Sequence, residues 1–205
     1  MIYSQNNEQQ IIANYFNGKI GTFLDIGAND GVTLSNTYQL VLDGWNGVGV
    51  EPSNEAFAKL VTNWQMKGGA VFNYAISDMN GQVTLHESGT HLKKGDTALL
   101  STIKPSEMDR WRGTDNTFTA TTCECVDFTT FLDESPIKQF DFISMDIEGA
   151  ELTVLPQMDL NALGCKMIIV EFNGKEEYKY NDIIIPQGFK QIAKNGENLI
   201  YAKPL

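Results

Sequence analysis

The chain is poor in the residues that carry most metal and redox chemistry. Its 205 residues include two histidines, three cysteines and six prolines. Cys123, Cys125 and Cys165 form no CxxC pair, and no histidine stands near enough in sequence to complete a zinc motif. An odd number of thiols is also no disulfide framework, so a reducing compartment fits best. Positive charge is scarce as well: 15 Lys and Arg against 26 Asp and Glu leave a net charge of −11. That is the wrong sign for gripping phosphate backbones, and nucleic acid is not expected as a partner. No run approaches the roughly 18 apolar residues of a membrane span. The polar start, residues 1–10, has neither the basic patch nor the apolar run of a signal peptide. A cytoplasmic protein with no membrane partner is the expectation. There is no internal repeat or Ser/Gly-rich linker, and the length fits one domain over 1–205.

What is present is an alternation of periods. Ile11, Ile12, Tyr15 and Phe16 recur at helical spacing behind Glu8 and predict a short helix ending at Asn17 and Gly18. Residues 22–25 read as a buried strand. Leu34, Tyr38, Val41 and Trp45 read as one face of a helix ending near Gly44, and 48–51 as a second strand, which completes a βαβ unit. Ser53 or Asn54 is suited to cap the next helix, whose apolar face is Ala56, Phe57, Leu60, Val61 and Trp64; a third strand is expected at 70–77. A hairpin-like turn at 78–81 leads to a strand at 83–86, and a Thr-rich strand at 119–126 turns Cys123 and Cys125 to one side as packing. Strands at 140–146 and 167–171, a mixed polar segment at 178–185 and a closing pair at 189–193 and 199–202 follow. Such apolar strands are usually covered on both faces, so the expected fold is α/β with a mostly parallel sheet flanked by helices.

Residues 86–117 break this rhythm, and they hold five basic side chains balanced by five acidic ones. An aperiodic stretch of that length reads as an inserted lid or substrate segment. Within or beside it, His86 and His91 are either a general base brought in by closure or plain surface histidines. Trp111 is the aromatic suited to a sugar ring. Lys93, Lys94, Arg110 and Arg112 make a locally basic rim that would receive a modestly charged acceptor.

The sharpest local signal is Asp25-Ile-Gly27-Ala-Asn29-Asp-Gly31, between the first strand and its helix. In open α/β sheets ligands bind beyond the carboxyl ends of the strands, where a tight glycine turn lets backbone approach them. Asn29 stands where nucleotide folds commonly use glycine, and Asn tolerates positive φ next best. The GxGxxG of dinucleotide sites is missing, which disfavours a nicotinamide oxidoreductase. An acid ending the strand just before the loop suits S-adenosylmethionine instead, Asp25 accepting from its ammonium group. Glu51 ends the second strand 20 residues after Gly31, where an acid that binds a ribose diol belongs. Asp78, past the third strand, is the candidate for the adenine amine. The fourth strand ends in Asp146-Ile-Glu148-Gly-Ala-Glu151, which presents carboxylates at the switch point. Asp146 or Glu148 is within reach to act as base toward an acceptor hydroxyl. With Glu171 and Asn173 they also make a set of hard oxygen ligands, so a divalent metal is allowed but not expected. Glu151, and Glu148 as the alternative, fits the more ordinary part of capping the helix that follows.

Taken together, FLDIGANDG, GWNGVGVEPSNEAFAKL, AISDMNG, the tripeptide Ser101-Thr102-Ile103, DFISMDIEGAELTVL and IIVEFN resemble the FkbM family of S-adenosylmethionine-dependent methyltransferases over nearly the whole chain. The resemblance implies a seven-stranded Rossmann-like sheet with an antiparallel last strand, and O-methylation of a sugar or other small-metabolite hydroxyl. It implies Asp25, Gly27, Asn29, Gly31, Glu51 and Asp78 as the cofactor pocket and Asp146 and Glu148 as the reaction centre. Ser101, Thr102 and Trp111 fall in the segment expected to recognise the acceptor. A catalytically silent S-adenosylmethionine-binding subunit or sensor is the competing expectation.

Overall fold

The computed structural model describes residues 1–66, 68–92 and 96–204. Lys93 and Lys94, half of the expected basic rim, lie outside the described residues. The main sheet takes its strands from β1 (Thr22–Ile26), β2 (Asn46–Val50), β3 (Ala70–Phe72), β7 (Phe142–Met145), β8 (Met167–Glu171), β9 (Lys190–Asn195) and β10 (Asn198–Ala202). Their order is β3-β2-β1-β7-β8-β10-β9, and only β10 runs against its neighbours β8 and β9. This is the expected seven-stranded, mostly parallel sheet.

Its helices cover both faces because successive residues of each central strand point to opposite sides. Phe23, Phe142 and Ile169 pack with Ile12 and Phe16 of α1 (Glu8–Phe16), Leu40 of α2 (Tyr38–Leu42) and Leu60 of α3 (Asn54–Asn63). Leu24, Ile143 and Ile168 pack on the other face with Phe131 of α4 (Phe128–Glu134), Val154 of α5 (Glu151–Val154) and Ile184 of α6 (Glu177–Ile184). No described helix is long and apolar enough to cross a membrane.

Three expectations need correction. The helix predicted through Leu34 to Trp45 shrinks to α2. The Asp30 carboxylate accepts from the backbone amides of Val32 and Thr33, at 2.8 and 2.7 Å, and so coils the chain into a turn. Leu34 sits at a left-handed φ of 55°, and the Ser35 hydroxyl accepts from the Tyr38 amide at 3.0 Å, where the helix begins. The third strand is also two strands. Asn73 interrupts it, donating its side-chain amide to the carbonyls of Glu51 and Pro52 at 2.9 and 3.3 Å. The chain then leaves the main sheet to form β4 (Ala75–Ser77) in a second, three-stranded sheet. Finally, the turn at 78–81 does not close a hairpin of paired strands, because β4 and β5 (Gly81–Ser88) lie on either side of β6 (Phe118–Asp127). The segment between β5 and β6 is tethered to this small sheet by backbone bonds between His86 and Thr102.

Candidate active site

The carboxyl ends of β1, β2, β7 and β8 open into one cleft, roofed by residues from the inserted segment. Its first half is built by the loop after β1. Gly27 holds φ at +87°, and a Cβ there would stand 1.7 Å from the carbonyl oxygen of Asp146, so only glycine lets the β1 and β7 loops touch. Gly31, at φ +77°, lies similarly under the Trp64 indole, whose Nε1 donates to the Gly31 carbonyl at 2.8 Å. Asn29 takes the left-handed backbone anticipated for it, with φ 48°.

Two buried carboxylates face this loop. Asp25 accepts from the Thr37 hydroxyl at 2.6 Å. Glu51 accepts from the backbone amides of Asn29 at 2.9 Å and Ser53 at 2.8 Å. Burial pushes each up to about 7, against the lowering effect of those hydrogen bonds and with some help from neighbouring carboxylates, and among the described residues no cation pairs with either. Each oxygen has a lone pair to spare for a ligand donor.

The second half lies 146–151 and 171–173. Asp146 is surrounded by protein yet exposed to the open cleft, and that surrounding raises its carboxyl to about 6. Glu148 and Glu171 are buried and both raised, burial first and their neighbouring carboxylates second. The trio brings one oxygen each within 4.8 Å of one another, close enough for a cation. The positive charge that meets them in the structure is Arg110, from the 3-10 turn Pro105–Trp111 of the insertion. Its Nη1 stands 3.2 Å from Glu148 and 3.2 Å from Glu107, and its Nη2 donates to the Asn173 side-chain oxygen at 2.7 Å. Glu107 is further paired with Lys175 at 2.8 Å.

The remaining expected residues divide. Asp25, Gly27, Asn29, Glu51, Asp146, Glu148, Ser101 and Trp111 all line the cleft. Asp78 does not: it is exposed beyond the end of β4, and the switch of sheets at Asn73 leaves Tyr74, Ala75 and Ile76 lining the cleft in its stead. Gly31 supports the loop from beneath rather than touching the cleft. Thr102 is buried and does not line the cleft; its hydroxyl donates to the Glu148 carbonyl at 2.7 Å and so clamps the loop after β7. Glu151 does not cap the helix it opens, since it accepts from the amides of Ile147 at 2.9 Å and Gly149 at 3.0 Å and so ties the loop ahead of α5. His91 lines the cleft against the Trp111 ring, with centroids 5.0 Å apart, whereas His86 pairs through its backbone away from it. Of the basic rim, Arg112 is exposed and paired with Asp109 at 2.8 Å, and Arg110 is consumed by the carboxylates. The described residues thus offer no basic rim. Sequence reading missed Arg110 in this second part, although a Glu-x-x-Arg spacing in an otherwise acidic chain marks it.

A family model described as the methyltransferase FkbM domain matches residues 25–192. Among solved structures, the chain is similar to monomeric WbdD, at 10% identity and a TM-score of 0.50, over 98% of this chain and 41% of that one. It is also similar to a ribosomal protein L11 methylase from Lactobacillus delbrueckii subsp. bulgaricus, at 12% identity and a TM-score of 0.47, over 97% of this chain and 78% of that one. A TehB-like S-adenosylmethionine-dependent methyltransferase from Corynebacterium glutamicum gives 11% identity and a TM-score of 0.48, over 98% and 89%. The chain therefore spans less than half the length of WbdD, and identities this low speak of fold alone. No curated protein matches it.

Proposed function

This chain belongs to the FkbM methyltransferase family, and on that premise we propose that it is an S-adenosylmethionine-dependent O-methyltransferase whose acceptor is a hydroxyl of a sugar or another small polar metabolite. The observation that carries the reading is the pair of buried acids at successive strand ends, Asp25 and Glu51, which face the glycine loop with neutral donors only. A ligand bringing one positive charge and a diol satisfies both. S-adenosylmethionine does so through its ammonium group, accepted by Asp25, and its ribose, accepted by Glu51. The close approach at Gly27 leaves backbone, not side chain, beside the bound molecule. When held there, the cofactor supplies a methyl group already activated on sulfur. The chain's own task is then positioning and proton removal. Asp146 opens to the cleft at the β1/β7 junction and receives the proton of the acceptor hydroxyl. Trp111 and His91 wall the acceptor side, an aromatic surface that fits a sugar face.

The test is calorimetric titration with S-adenosylmethionine, S-adenosylhomocysteine and NAD, followed by a radiolabelled methyl-transfer panel of neutral sugars and polyols. Selective binding of the two adenosyl sulfur compounds and a labelled O-methyl product are the expected results. Tighter binding of NAD would overturn the cofactor assignment. Binding without transfer to any hydroxyl on the panel would favour a silent binding subunit.

A further inference from the structure

Three carboxylates converge where one base is needed, and the geometry around them is asymmetric. Arg110 divides its guanidinium between Glu148, 3.2 Å from Nη1, and the Asn173 side-chain oxygen, 2.7 Å from Nη2. A guanidinium only donates, so the Asn173 amide must turn its oxygen to Arg110 and its nitrogen away. That nitrogen donates to Glu171 at 2.6 Å. One side chain of the inserted segment thereby holds Glu148 directly and Glu171 through a relay, while Asp146 is the exposed one of the three. Of the three residues that receive Arg110, two sit at left-handed φ, 49° for Glu148 and 53° for Asn173, a conformation that costs energy for a glutamate and is held only where its surroundings impose it; the third is Glu107 of its own turn. The insertion grips the same loop twice more. Thr102 donates to the Glu148 carbonyl, and Glu107 packs so closely on Gly149 that a Cβ there would meet its Cγ at 2.4 Å.

We infer that Arg110 is a positioning residue of the proposed methyl transfer: it ties Glu148 and Glu171 to the insertion, leaving Asp146 as the single carboxylate that takes the acceptor proton. The inference rests on the proposed O-methyltransferase reading for its kinetic part and on geometry alone for its structural part. The charged groups around Asp146 are Glu148, Glu151, Glu171, Asp25 and Glu197, with Arg110 the cation facing them. A lysine at 110 would put one compact ammonium in place of the planar fork and so would not reproduce the separate Nη1 and Nη2 contacts to Glu148 and Asn173.

Two measurements on the full chain test this. In hydrogen exchange read by mass spectrometry, Arg110→Gln is expected to speed exchange at 146–151 and at 171–175 by at least about threefold while 25–31 stays unchanged. Asn173→Gly, which keeps the left-handed backbone permitted, is expected to speed exchange at 171–175 without an effect at 146–151. Unchanged exchange at both segments in Arg110→Gln would overturn the strut, whatever the reaction. For kinetics, with the acceptor turned over in the sugar panel, Asp146→Asn is expected to lower kcat by about 10²- to 10⁴-fold, the usual worth of a general base, with S-adenosylmethionine affinity retained. Arg110→Gln and Glu148→Gln are each expected to lower kcat by only about 10- to 30-fold, and the double variant no further than either single, because the two act through one link. Equal damage from Glu148→Gln and Asp146→Asn, additive losses in the double variant, or full rescue by Arg110→Lys would each overturn the assignment. A panel with no turnover speaks against the methyltransferase reading and leaves the exchange experiment to decide on the strut.

Discussion

The two ends of the cleft carry buried acids in opposite electrical settings. At the β1–β2 end, Asp25 and Glu51 are met by a hydroxyl and by backbone amides, and no cation among the described residues pairs with them. At the β7–β8 end, Glu148 and Glu171 are met by Arg110 and by the Asn173 amide it orients. An unanswered buried carboxylate is expensive to keep ionised, so on the proposed reading the first end is completed by a ligand with its own donors and positive charge. The second end sets one guanidinium against three crowded carboxylates whose carboxyls stay raised, so it holds protons readily and suits an uncharged acceptor. On the proposed reading the difference separates a cofactor end that binds through charge from an acceptor end that binds through shape.

The strongest way to break the comparison is to damage the seam between the ends. Gly27 lies against the Asp146 carbonyl, and Gly27→Ala forces backbone apart at a φ that alanine avoids. A loss of about 2–4 kcal/mol in unfolding free energy is expected, from left-handed strain and overpacking together, measurable by urea unfolding. Both ends are expected to suffer, in cofactor affinity and in turnover alike. Next comes Glu51→Ala, which removes two hydrogen bonds to backbone as well as the proposed ribose acceptor. Calorimetry is expected to show a 10- to 100-fold loss of S-adenosylmethionine affinity, the scale of a charged hydrogen bond. Unchanged affinity would remove Glu51 from the ribose.

A smaller effect separates the ends by pH. The carboxyls of Asp25 and Glu51 are raised by folding from ordinary values of 3.8 and 4.5 to about 7. The folded state therefore holds protons that the unfolded chain has released, and the stability this contributes is full below about pH 4 and is lost as pH rises through about 7. Ligand binding has the opposite sign, because ammonium and diol donors need the ionised acids. The cofactor-free protein is expected to melt at a higher temperature at pH 5.5 than at pH 8, and the rise in Tm on adding S-adenosylmethionine is expected to be larger at pH 8. Glu51→Gln, which cannot titrate, is expected to flatten both differences. A larger ligand-induced rise at pH 5.5 would contradict the incomplete-site account.

The same division governs what could be read from the chain. Asp25 and Glu51 were legible because strand ends in a parallel sheet fall at fixed places relative to a glycine turn, so spacing alone located them. Asp146, Glu148 and Glu171 were legible as candidates for the same reason. The division of labour proposed for them was not, since it depends on Arg110, which lies 38 residues from Glu148 and 63 from Asn173 in an aperiodic segment. Local rules failed wherever side chains redirect the backbone. Asp30 coils the stretch expected to be helix, and Asn73 breaks the expected strand and carries Asp78 out of the cleft. Thr102 was named from a motif, and a motif does not say whether its hydroxyl faces ligand or loop; here it faces the Glu148 carbonyl.

The smallest expected effect sharpens the claim that the acceptor end recognises shape. Trp111 presents its ring to the cleft, edge-on to His91 and beneath the Arg110 guanidinium, whose Cζ stands 5.5 Å from the ring centroid. Trp111→Phe keeps an aromatic face, whereas Trp111→Ala removes it and also the cushion under Arg110. Alanine is expected to raise the acceptor KM by about 3- to 10-fold, the worth of one aromatic contact, with phenylalanine near wild type and S-adenosylmethionine affinity unchanged in both. If the substitution lowered kcat instead and left KM alone, the indole's role would be to hold Arg110 in place, and acceptor recognition would have to come from other polar residues that line the cleft, such as Asn36 and Asn198.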